Sequence, residues 1–299
     1  METNQQKETL NYFDAFAKDW KEKAQGQKIS KVNVISQRNN YVLEVIKART
    51  ENMKTMDIGC GTGELVHDIA KMGINAVGLD FANEMIVQAR EIADKENISN
   101  AEFICGSAFD YPIEDESLDV ISANGFIEYI SHEQLDQFLA ISYKKLRKGG
   151  SLVFGSRNRL FNLVSMNQYT LDEIENDCIV KLVKESVKVA AMKDLSELQE
   201  TEAIELEHSN KVHADTGIAV TTRFQFTPAQ LAQMLHAKGF TVTGLSPVHV
   251  HGVSPSFAAD HKEIHYNISN LLSEVTNEEK QNRYKMIPFA SSFMIHAVK

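Results

Sequence analysis

In Met56-Asp57-Ile58-Gly59-Cys60-Gly61-Thr62-Gly63 an acid stands two residues ahead of three alternating glycines. Glycines let a turn take positive φ and let a ligand reach the main chain with no Cβ in the way. A carboxylate behind such a turn repels a phosphate and suits a cationic amine. A second acid, Asp80, ends the run Ala76-Val77-Gly78-Leu79. Placed there it can accept from both hydroxyls of a ribose, and Phe81 beside it offers a ring face to a purine. Further on, Val248-His249-Val250-His251-Gly252 carries two imidazoles that an extended backbone turns to one face. His261 and His265, four apart on a helical stretch, also share a face. Imidazole titrates near neutral pH, so His251, with His249 as its neighbour, is the candidate general base and Glu128 the carboxylate alternative. The same four histidines have spacings that can ligate a metal. They are read here as pocket or surface residues, and no metal is expected.

Those residues need a scaffold that brings strand ends together. Glu64 to Ala70 is apolar at helical spacing, so the glycine turn joins a short strand to a helix, with another helix, about Val34 to Ala48, before it. Strands follow at Phe103-Ile104-Cys105 and Leu118 to Ala123, and a Gly149-Gly150 turn leads into a fifth through Phe154. Strand alternating with helix implies a parallel sheet, with ligands beyond its carboxyl ends. The dinucleotide fingerprint needs a small residue where Glu64 stands, and a phosphate loop needs Gly-Lys-Ser or Gly-Lys-Thr, which is absent. Ser131 to Gln134 is a capping box opening the next helix. A second box, Thr170 to Glu173, should open a long helix through Lys193, with a charged helical piece from Leu195 to Glu207. Thr227-Pro228 starts another helix that ends at Gly239. Strand six is expected at Phe240 to Leu245, a loop from Ser246 to Phe257, mostly helix to Asn282, and a last strand from Ser292 to Val298.

Taken together, these elements resemble the class I S-adenosylmethionine-dependent methyltransferases. The resemblance covers about Thr55 to Ser156 and rests on Asp57 to Gly63, Asp80, Gly106-Ser107-Ala108 and Leu146 to Phe154. It implies an α/β, Rossmann-like seven-stranded sheet with its last strand antiparallel, and an inserted, mostly helical cap. The expected divisions are an N-terminal lid helix over 1–28, a cofactor-binding core over 29–156, the cap over 157–222 and the rest of the core over 223–299. It also implies S-adenosylmethionine as cofactor. Asp57, Gly59, Cys60, Gly61 and Gly63 would line its methionine end, with Asp80 on the ribose. Phe81 and Met85 would flank the adenine, and Ser107 and Ala108 would hold its edge. Asn124 and Gly125 would border the sulfur, and Tyr12 would close over the cofactor. Ser107 replaces the family's usual aspartate, so that contact lacks a charge. After strand four Glu128-Tyr129 stands where the similar ubiquinone-type O-methyltransferases have Glu-His.

The 299 residues carry a net charge of −10, with 43% hydrophobic and 24% charged residues. An acidic surface with no basic run disfavours nucleic acid. No apolar run of membrane-spanning length is present, and three cysteines without paired spacing suit a reducing, cytoplasmic setting. Oligomeric state is not legible. The expected activity is methyl transfer to an oxygen or nitrogen of a small-molecule acceptor. The alternatives are a non-catalytic cofactor-binding regulator and a nucleotide-linked oxidoreductase. Arg157 and Arg159 would bring guanidiniums to the acceptor rim.

Overall fold

The computed structural model describes residues 9–10, 13, 33–49, 53–202, 204–206 and 224–299. Five parallel strands come first along the chain: β1 (Lys54–Ile58), β2 (Asn75–Asp80), β3 (Ala101–Cys105), β4 (Leu118–Ala123) and β5 (Leu146–Arg157). Two more complete the sheet, β6 (Thr241–Val250) and β7 (Ala290–Val298). Their spatial order is β3-β2-β1-β4-β5-β7-β6, and β7 runs antiparallel to both its neighbours. This is the Rossmann-like arrangement expected.

Helices cover both faces, so the central strands are buried almost throughout. Alternate side chains serve two cores. Met56, Ile58, Ile121, Leu152 and Phe154 face one, with Phe138 and Leu231. Val120, Val153 and Met294 face the other, against Val42 and Ile46 of α1 (Val34–Lys47) and Leu65, Val66 and Ile69 of α2 (Glu64–Lys71). Helix α3 (Asn83–Glu96) follows β2. Helix α4 (His132–Lys145) begins at the expected box, with both reciprocal bonds between Ser131 and Gln134 formed.

The stretch after β5 departs from expectation. Asn167, not Thr170, caps α5 (Gln168–Glu175), and Thr170 occupies the box's third helical position. Glu173 turns inward, where Arg159 Nε and Nη2 donate to its two oxygens at 2.8 Å each and Asn162 Nδ2 donates at 2.8 Å. The single long helix is broken: Asp177 has φ +53, and α6 (Ile179–Ala191) starts afresh. After it, only Leu195–Leu198 form a short 3₁₀ turn; 199–202 and 204–206 are irregular. Leu182, Val189, Met192, Leu198 and Ile204 pack into the same core as Phe226 and Leu231. Helix α7 (Pro228–Ala237) has its proline at the first turn, as expected.

Strand β6 runs further than its sequence suggests. Pairing with β7 continues past Leu245, from Ser246↔Met294 to Val250↔Ala290, because antiparallel β7 already begins at Ala290. Helices α8 (Pro255–Asp260) and α9 (Lys262–Glu278) come next. Cys105 is exposed at the end of β3, Cys60 is buried, and no disulfide joins the three cysteines. No helix among the described residues is long and apolar enough to cross a membrane.

Candidate functional site

The glycine turn sits at the carboxyl end of β1, between β2 and β4. Gly59 and Gly61 have φ +69 and +54, and the turn is tied to β2 by the Gly59 and Cys60 N–H groups, which donate to the Leu79 carbonyl at 2.8 and 3.2 Å. Asp80 completes the tie. Its Oδ2 accepts from the Gly61 N–H and its Oδ1 from the Ala82 N–H, each at 2.9 Å. Two backbone donors hold the carboxylate in one orientation.

Asp57 lies buried beneath the turn and accepts from the Ser122 hydroxyl at 2.6 Å. Burial, reinforced by the charges of Asp80 and Glu64 and opposed by the Ser122 bond, pushes its carboxyl up to about 7. A cation arriving nearby would offset that penalty. Burial likewise pushes the Cys60 thiol up, which leaves it a packing group.

These groups open into a cavity of about 900 Å³. Of the residues expected to touch cofactor, Asp57, Gly59, Cys60, Gly61, Asp80, Phe81, Met85, Ser107, Ala108, Asn124 and Gly125 line it. Gly63 does not. It is the left-handed N-cap of α2, φ +82, and an added Cβ would stand 2.6 Å from the Phe103 ring. Its smallness lets the helix approach the sheet. Tyr12 lies outside the described residues, but Thr9 and Phe13 line the cavity, with the Phe13 ring 5.3 Å from that of Tyr129. The Ser107 oxygen accepts from the Phe109 N–H at 3.1 Å, so it is already engaged within its own loop.

Part of the cavity wall comes from α1, a helix to which the sequence assigned no site residue. Arg38 and Asn39 both line the cavity. Asn39 accepts from the Asn124 amide at 3.0 Å. Arg38 Nη2 donates to Glu128 Oε1 and to the Ser292 hydroxyl, both at 3.0 Å, while its buried Nε meets no acceptor among the described residues. Arg157 Nε donates to the other Glu128 oxygen at 3.0 Å. Glu128 is therefore buried and held between two guanidiniums rather than presented as a base. Arg159, expected at the rim, is buried on Glu173 instead. The signal that could have found Arg38 is a charged residue on the apolar-facing side of a helix, and only the neighbours show which way it points.

His249 and His251 do not line this cavity. The His251 ring packs on Phe161, with centroids 4.5 Å apart, and both histidines sit with His265 of α9. Burial holds His251 down to about 4 and His249 well below its ordinary value. Glu128 thus lines the cavity, while the two histidines lie outside it.

The family described as "Methyltransferase domain" matches residues 49–239. Among curated relatives, the chain is 26% identical over 155 residues to a sterol 4-C-methyltransferase of Caenorhabditis elegans, covering 52% of this chain and 43% of that protein. It is 28% identical over 167 residues to the ubiquinone biosynthesis O-methyltransferase of Aliivibrio fischeri, covering 54% and 69%. The chain thus spans less than half of the sterol relative's length. Of solved structures, magnesium protoporphyrin IX methyltransferase from Synechocystis, with bound S-adenosylhomocysteine, aligns with TM-score 0.59 at 12% identity, covering 99% of this chain and all of that one.

Proposed function

This chain belongs to the methyltransferase-domain family, and from that premise we propose that it transfers a methyl group from S-adenosylmethionine to an oxygen or nitrogen of a small-molecule acceptor. One observation carries the reading. The positive-φ turn at Gly59 and Gly61 exposes backbone at the cavity wall, with a buried acid behind it and Asp80 locked beside it. A sulfonium cofactor with a cationic amine, a ribose and a purine matches those groups in that order, and a pyrophosphate does not. The cofactor, when bound, supplies an activated methyl group; the protein's part is to hold donor and acceptor in line and keep water out.

In this reading Asp57 meets the charge of the amino-acid end, Asp80 accepts from the ribose, and Phe81 and Met85 pack on the purine. Asn124, held by Asn39, and Gly125 border the donor sulfur. The acceptor lies against Arg38, Glu128, Tyr129, Arg157 and Ser292. Two guanidiniums around one carboxylate leave one positive charge in excess, so an acceptor with an anionic or strongly accepting group fits best. With His249 and His251 off the wall and Glu128 already paired, transfer relies on positioning rather than on a dedicated side-chain base. Three cysteines with no disulfide among them suit a cytoplasmic setting.

Calorimetry with S-adenosylhomocysteine and separately with NAD decides the cofactor. Heat with the first and none with the second is expected; the reverse would move the chain to nucleotide-linked redox chemistry. Methyl transfer into a metabolite library then separates an enzyme from a non-catalytic binding protein.

A further inference from the structure

We propose that His249, His251 and His265 form a binding site for a borderline divalent metal ion of the zinc class, outside the cofactor cavity, joining the end of β6 to α9. This reverses the expectation from spacing alone, and it does not depend on the methyltransferase reading.

The site is made by two elements. At the end of β6, His249 takes φ +55, a left-handed conformation uncommon for a residue with a side chain, and its N–H donates to Gln37 Oε1 of α1 at 2.7 Å. That conformation brings the His249 and His251 rings to 4.0 Å between centroids. Helix α9 then delivers His265, only 5% exposed, with its ring 4.9 Å from that of His251 and 5.2 Å from that of His249. The close approach is built into the chain. A Cβ on Gly252, directly after His251, would fall 2.1 Å from Ile268 Cγ2, so only glycine lets α9 settle here. His261, four residues earlier, is exposed and stacks on Phe257 with centroids 4.3 Å apart, outside the set.

The donor atoms match a metal better than they match each other. One ring nitrogen from each histidine lies within 4.8 Å of the others. The Nε2 atoms of His249 and His265 are 3.0 Å apart. Tetrahedral zinc with bonds of about 2.0–2.1 Å sets its ligands roughly 3.3 Å apart, so small side-chain rotations close the set. Without an ion the hydrogen-bonding is incomplete. His249 and His265 can share one bond, but both ring nitrogens of His251 and Nδ1 of His265 are shielded from solvent with no partner among the described residues. Each such buried group forgoes the hydrogen bonds that water would give it. Burial keeps the rings in the neutral form, which is the ligating form. Three imidazoles with no carboxylate in the set select zinc, cobalt, nickel or copper over magnesium and calcium. Three protein ligands leave a fourth position for water or an external donor.

The test titrates cobalt(II) and zinc(II) into chelator-treated full-length protein. One ion per chain is expected, with a Kd below about 10 μM and the visible spectrum of a four-coordinate cobalt site. His251→Ala and His265→Ala should each weaken binding at least a hundredfold, and His261→Ala should leave it unchanged; circular dichroism and thermal melting check that each variant folds. Should a variant not fold, zinc anomalous scattering from wild-type crystals replaces it, and an ion bonded to all three imidazoles is the expected result. No binding by the wild type at about 100 μM, equal binding by a folded His265→Ala, or an ion found only elsewhere on the surface overturns the proposal.

Discussion

The cofactor end and the histidine end of this sheet are built from opposite materials. At the first, a glycine turn, Gly59 to Gly61, presents main chain to the cavity, with Asp80 bonded straight back to it. At the second, three side chains converge from β6 and α9, and the backbone serves only to bend at His249 and to let α9 close at Gly252. A site made of main chain is robust to side-chain changes but fragile at its glycines. A site made of side chains is the reverse, and its members can be removed singly.

The largest break should come at the turn. Gly63→Val must take φ +82 with a branched side chain and drive a Cβ into Phe103. Strain and overpacking together should cost roughly 2–5 kcal/mol of stability, read by denaturant unfolding. A loss under about 1 kcal/mol would mean that the turn can rebuild itself. Next comes Asp80→Ala, which removes an orienting acceptor for Gly61 and Ala82 and the proposed ribose contact. Affinity for S-adenosylhomocysteine should fall by roughly 1.5–3 kcal/mol, ten- to a hundredfold, with the metal affinity of the histidine site unmoved. Unchanged cofactor affinity would remove Asp80 from the ribose.

Acidity sharpens the comparison further. The Asp57 carboxyl is raised to about 7 in the free protein, and a cationic ligand favours its ionised form. Cofactor affinity should therefore rise with pH up to about 7, by at most about tenfold per unit, and level off above; Asp57→Asn should flatten that rise. For stability the sign is opposite. Between its ordinary value, 3.8, and about 7 the folded protein holds a proton that the unfolded chain has lost, so this group subtracts stability as pH climbs through that window. The smallest effect belongs to the rate. With its ring on Phe161 and off the cavity wall, His251→Ala should lower kcat less than about tenfold at saturating cofactor. A hundredfold loss would restore His251 as the base.

Strands one to four and the last match expectation to within a few residues, because apolar runs bounded by turn residues carry their own signal. Eleven cavity-lining positions were legible for a related reason: a strand tip and the turn after it are adjacent in sequence, so spacing along the chain is spacing in space. Reading failed where contact partners are remote. The helix expected through Lys193 breaks at Asp177, and its box begins at Asn167, because Glu173 is drawn inward by Arg159 and Asn162. Strand β6 outruns its apolar pattern because β7 continues beside it to Ala290.

What sequence by itself determined is therefore the sheet, the glycine turn and the acids at two strand ends, since local geometry makes each of them. Only tertiary structure decided that Arg38 of α1 faces the cavity and clasps Glu128, across 90 positions of chain. Only tertiary structure gathered His265 rather than His261 to the end of β6, because the seating of α9, not the spacing of its histidines, chooses which imidazole is buried.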